Sequence, residues 1–116
     1  RDVASKTGTS IEEFAKALNE AKATQEKLDL VKARASLLFK GGFYKLAIEM
    51  YTKAIAIDAM HLAYSNRSAC RCADHDYTGA LSDAEQCVQK APQWGKGYAR
   101  LGAAFYGLYR FHEAIA

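Results

Sequence analysis

The sequence predicts an all-α stack of helix-turn-helix units, and two observations carry that expectation. The first is internal repetition. AIEMYTKAI (47–55) matches ALSDAEQCV (80–88) at a shift of 33, and Tyr44 matches Tyr77 at the same shift. Tyr64-Ser65-Asn66 matches Tyr98-Ala99-Arg100 at 34, and Tyr77, Ala80 and Leu81 recur as Phe111, Ala114 and Ile115. A period of that length marks an array of small supersecondary units rather than a closed globule. The second is punctuation. Apolar residues fall at helical spacing, interrupted by Gly41-Gly42, by Asp74-His75-Asp76 and by Pro92, which cannot continue a helix. One such unit cannot bury its apolar face alone, so neighbours must stack.

Taken in order, residues 1–10 are polar and read as a flexible leader. Ser10-Ile-Glu-Glu13 fits a capping box and starts an N-terminal amphipathic helix over 11–27, with Ile11, Phe14, Ala15, Leu18 and Ala21 on its apolar face. Polar Thr24 to Lys27 is either a solvated part of one long helix or a break before the next element. The repeat domain spans 28–116. Its first unit (about 28–60) has helices near 29–40 and 44–57, and its second (61–94) has helices near 61–73 and 77–90. The third (95–116) is incomplete, with a helix near 95–107 and a turn around Gly107 to Arg110. Ala47, Ala54, Ala80, Ala84, Gly102 and Ala114 fall where paired helices approach closely. Tyr51, Tyr64, Tyr98 and Phe105 are expected to fill gaps between units.

Composition narrows the function. Half of the 116 residues are apolar and the net charge is only +3, too mild to argue for nucleic acid. Cys70, Cys72 and Cys87 are an odd count and read as free thiols of a reducing compartment. On a helix Cys70 and Cys72 point about 200° apart, and His75 alone completes no metal site. No apolar run approaches the ~20 residues of a membrane span. No catalytic triad, phosphate loop or acid pair is present, so neither an enzyme nor a cofactor site is expected. The chain opens on Arg1 and reads as a piece of something longer. The half-built third unit leaves Leu101, Phe105 and Leu108 as a surface for homodimerisation.

FKGGFYKLAIEMYTKAIAID (39–58), YSNRSAC (64–70), ALSDAEQCVQKAPQWGKGYARLGAA (80–104) and the final RFHEAIA carry a resemblance to the tetratricopeptide repeat (TPR). The run YSNRS…DAEQCV…P-x-WGKGYARLGAA resembles more narrowly the first TPR domain of the Hop/stress-inducible co-chaperone family. The resemblance implies a right-handed superhelix whose groove is lined by the first helix of each unit. It also implies a cytoplasmic adaptor that grips the C-terminal Glu-Glu-Val-Asp of heat-shock chaperones, the seventy-kilodalton class favoured and the ninety-kilodalton class the alternative. The family's carboxylate clamp falls on Lys32, Ser36, Asn66, Lys96 and Arg100. Ser36 stands where the family usually has asparagine; it is shorter and offers one donor instead of two, so it reaches a ligand through water. Ala35, Ala59 and Arg71 are further departures.

These residue types suit that chemistry. Lys32 and Ser36 are four apart and share a helix face, as do Lys96 and Arg100. Two cations so placed repel by roughly 0.2–0.5 kcal/mol when exposed. A chain end bearing two carboxylates relieves that repulsion through charge-assisted hydrogen bonds, bidentate in the case of arginine. Two other readings stand beside this one: a TPR scaffold for another partner with a decayed clamp, and the regulatory arm of a larger enzyme.

Overall fold

The structure, a computed structural model, describes residues 10–115. Five helices follow one another: α1 (Ile11–Lys40), α2 (Tyr44–Ile57), α3 (His61–Ala73), α4 (Tyr77–Lys90) and α5 (Gly95–Ile115), with no strand among the described residues. Consecutive helices pack against each other, and α3 also packs on α5. This is the stack of hairpins the repeat implies. All but Ser10 of the expected leader lies outside the described residues.

The two hairpin turns are built alike, 33 residues apart. Backbone N–H groups of Gly41, Gly42 and Phe43 donate to the carbonyls of Leu37, Phe39 and Leu38. Those of Asp74, His75 and Asp76 donate to Cys70, Cys72 and Arg71, the same pattern one unit on. Each turn needs one residue with positive φ. Gly42 supplies it at φ 83°, and His75 at φ 63°, where a side chain costs about 1–2 kcal/mol.

Small residues hold the stack. Ala35, Ala47, Ala54, Ala80, Ala84 and Ala104 are fully buried, so the helix backbones approach closely. Tyr51 and Cys70 complete a cluster with Ala35 and Ala47 that joins α1, α2 and α3. Buried Ser68 donates its hydroxyl to the Ala80 carbonyl at 2.8 Å and ties α3 to α4. Asp83, also buried, receives Arg67 at 2.7 and 2.9 Å and Arg71 at 3.0 Å.

Four expectations need correction. The N-terminal helix does not end at 27, since it and the first repeat helix are the single element Ile11–Lys40. Of the two readings of Thr24 to Lys27, a solvated part of one long helix is the one observed. Its polar stretch is internally satisfied: Thr24 donates to the Glu20 carbonyl and Gln25 to Asp29. The N-terminal half of α1 projects from the stack and its residues are exposed, which contributes to a radius of gyration of 18.8 Å. A compact domain of this length has about 13 Å.

The turn expected over 107–110 is also absent, since α5 runs unbroken from Gly95 to Ile115. The position matching Gly42 and His75 is Tyr109, and a bulky aromatic disfavours positive φ. Gly107 has a different reason to be glycine: any Cβ there would overlap the Tyr77 ring of α4.

Gly102 is exposed and open rather than a close-packing site. Lastly, Tyr98 and Phe105 are exposed instead of filling gaps between units, and Tyr98 donates its hydroxyl to the Pro92 carbonyl. Of the surface expected in the third unit, Phe105 is exposed while Leu101 and Leu108 are half-buried.

Candidate functional site

Four helices contribute to one cavity of about 170 Å³. Phe39 comes from α1, Tyr51 from α2, Asn66, Ala69 and Cys70 from α3, and Arg100 from α5. Asn66 reaches it because it follows buried Ser65 and precedes half-buried Arg67, which turns away to Asp83. Arg100 reaches it because its Nε donates to Ser65 Oγ at 3.1 Å. That bond anchors one nitrogen of the guanidinium to a neutral oxygen and leaves its other donors for the cavity.

The electrostatics are one-sided. The cavity lining holds the Arg100 cation and no carboxylate. Among the described residues neither Lys96 nor Arg100 takes part in an ion pair. Cys70 is the lining's candidate for an internal anion, and burial prevents it: its thiol is pushed up to about 11, although Arg100 pulls the other way. Burial likewise raises the thiols of Cys72 and Cys87 against the opposing pull of Arg100. Tyr51 is raised by burial first and by Cys70 second. The site therefore presents hydrogen-bond donors and positive charge to whatever enters it.

Of the five residues singled out from the sequence, Asn66 and Arg100 line this cavity together. Lys32 and Ser36 are half-buried and do not line it. They lie on the helix row that leads to Phe39, seven and three residues before it. Lys96 is exposed, one turn before Arg100 on α5. Sequence reasoning missed Phe39, Tyr51, Ala69 and Cys70 as lining and Ser65 as the anchor of Arg100. The signal for Ser65 was its place in the repeat register, between the matched Tyr64 and Asn66.

A row of hairpins at a 33–34-residue spacing, open along its first helices, defines a helical-repeat protein. No protein-family model matches the chain. The chain is 46% identical over 79 residues to "Heat shock protein sti1 homolog" from Schizosaccharomyces pombe, covering 67% of this chain and 13% of that protein. Its fold matches the second TPR domain of human RPAP3 in complex with the HSP70 peptide SGPTIEEVD. That match has a TM-score of 0.70, 32% identity, and covers 78% of this chain and 77% of the other. It also matches the second TPR of Spaghetti (RPAP3) bound to the HSP90 peptide SRMEEVD, with a TM-score of 0.68, 34% identity and 80% and 89% coverage. The chain belongs to the tetratricopeptide-repeat family.

Proposed function

We propose that this chain is a co-chaperone adaptor module that captures the acidic C-terminus of a heat-shock chaperone, in a cytosolic setting. The observation that carries the reading is Arg100, which lines the cavity beside Asn66 and, like exposed Lys96 one turn before it, has no carboxylate partner among the described residues. Lys32, Ser36, Asn66, Lys96 and Arg100 act together as a clamp for the two carboxylates of a terminal aspartate. Lys32 and Asn66 hold the main-chain carboxylate, while Lys96 and Arg100 bracket the side chain. Two structural neighbours hold chaperone peptides ending in Glu-Glu-Val-Asp, one from HSP70 and one from HSP90, which supports the ligand class. The WGKGYAR string favours the seventy-kilodalton class.

Calorimetry with the peptides SGPTIEEVD and SRMEEVD tests this. Wild type binds both, the first more tightly, and an amidated C-terminus abolishes most of the affinity. Arg100→Ala and Lys96→Ala each remove a charge-assisted contact worth about 1.5–3 kcal/mol, a loss of roughly 10- to 100-fold. Equal affinity for the free and amidated peptides would overturn the clamp.

A further inference from the structure

A second cleft lies on the far side of the first hairpin. It has a volume of about 360 Å³ and is lined by Lys27, Leu30, Val31 and Arg34 of α1 with Met50 and Lys53 of α2. At 100° per residue the α1 positions point about 170° away from Lys32 and Ser36. On α2, Met50 and Lys53 point away from Thr52, which accepts a hydrogen bond from Arg67 of α3. The cleft is therefore the free crease of the α1/α2 hairpin, opposite the peptide cavity and opposite α3.

The molecule itself indicates what shape fits such a crease. The other side of this hairpin is filled by a helix: Cys70 of α3 packs into the cluster of Ala35, Ala47 and Tyr51. The free side has an apolar floor, with Leu30 73% exposed and Val31 and Met50 half-buried. Around that floor stand three cations and no carboxylate. No ion pair among the described residues uses Lys27, Arg34 or Lys53. An apolar strip edged by unpaired cations is complementary to a helix with an apolar stripe edged by acids.

We propose that the α1/α2 crease docks an acidic amphipathic helix of a partner protein, so that the chain holds two ligands on opposite faces. The apolar anchors of that helix, at i, i+3, i+4 and i+7, sit on Leu30, Val31 and Met50. Its flanking carboxylates meet Lys27, Arg34 and Lys53. Because the faces are opposed, this docking is independent of the peptide clamp.

The test uses a synthetic helical peptide of about 18 residues with leucines at those four spacings and glutamates beside them, and a control with lysines replacing the glutamates. Amide NMR shifts induced by the glutamate peptide should map to 27–34 and 50–53. They should persist in Arg100→Ala, which separates this proposal from the clamp. Arg34→Glu with Lys53→Glu replaces two exposed cations, so the fold is kept, and lowers affinity for the glutamate peptide about tenfold or more. The same variant should prefer the lysine peptide. Shifts centred on Asn66 and Arg100, or an affinity indifferent to the charge reversal, would overturn the proposal. A doubled molar mass that Arg34→Glu with Lys53→Glu abolishes would also overturn it, by assigning the crease to a second copy of this chain.

Discussion

Arg67 and Arg71 on α3, and Lys96 and Arg100 on α5, are both cation pairs four residues apart, one pair on each of two packed helices. Their surroundings differ. Asp83 of α4, with a side chain only 2% exposed, sits between the first two and accepts from both. Thr52 takes a further Arg67 donor at 3.1 Å. The second pair meets no carboxylate among the described residues, and Arg100 has only the Ser65 hydroxyl. Asp83 between the two arginines, with Asp76 at 3.8 Å from Arg71 as a second acid, makes a structural tie between α3 and α4. Two cations with no acid suit the proposed clamp, in which a ligand supplies the carboxylate. The contrast teaches that spacing alone does not assign a role to a charge pair; the element packed against it does.

The comparison breaks most forcefully at Asp83. Asp83→Ala leaves the partly buried Arg67 without a carboxylate and Arg71 with only the more distant Asp76. Removing one partner of a buried ionic set costs about 3–5 kcal/mol. We expect a loss near the lower end, because the Arg71 side chain is 24% exposed. Denaturant unfolding should show that loss, while the affinity of the remaining folded protein for a Glu-Glu-Val-Asp peptide stays as in wild type. A stability unchanged from wild type would mean that Asp83 is no tie at all.

A second change makes the α5 pair resemble the α3 pair. Asn66→Asp swaps an amide for a carboxylate of equal size in the cavity that Arg100 also lines. The new anion should engage Arg100 internally and repel an acidic chain end. Peptide affinity should fall about tenfold or more, the equivalent of roughly 1.4 kcal/mol or more. Stability should change by less than about 1 kcal/mol, since the pair is only partly buried. Unchanged peptide affinity would show that the charge balance of the cavity does not govern binding.

Much of this was legible before any coordinates. The helices over 44–57, 61–73 and 77–90 follow from repeat spacing and turn residues, and their bounds agree with the structure. The Gly41-Gly42 turn was readable because glycine tolerates positive φ. The Asp74-His75-Asp76 turn was readable too, although nothing about histidine announced its positive φ, and Tyr109 disfavours that geometry where Gly107 falsely suggested a turn. Asp83 was overlooked although the sequence marked it: it shares a helix face with Ala80, Ala84 and Cys87, all fully buried. A carboxylate inside a buried stripe demands a cation, and only three-dimensional packing says that Arg67 and Arg71 supply it. The cavity's aromatic wall, Phe39 with Tyr51, joins residues from different helices that no single periodicity connects.

The smallest expected effect is a titration, and it asks whether the charge of Arg100 is truly uncompensated. Cys70 lines the same cavity and feels that charge directly. Burial raises its thiol from 9.0 to about 11, and Arg100 holds it below where burial alone would put it. Folding therefore favours the protonated thiol. That contribution to stability is complete below about pH 9 and is lost as the pH rises through about 11. Arg100→Ala should move the thiolate absorbance of Cys70 to higher pH, in a protein where Cys72 and Cys87 are replaced by serine. Asn66→Asp should move it the same way, because an internal acid would cancel the field of Arg100. Asp83→Ala should leave it in place, since that acid serves the other pair. A Cys70 titration indifferent to Arg100 would mean that the guanidinium charge is already neutralised, and the distinction between the two pairs would collapse.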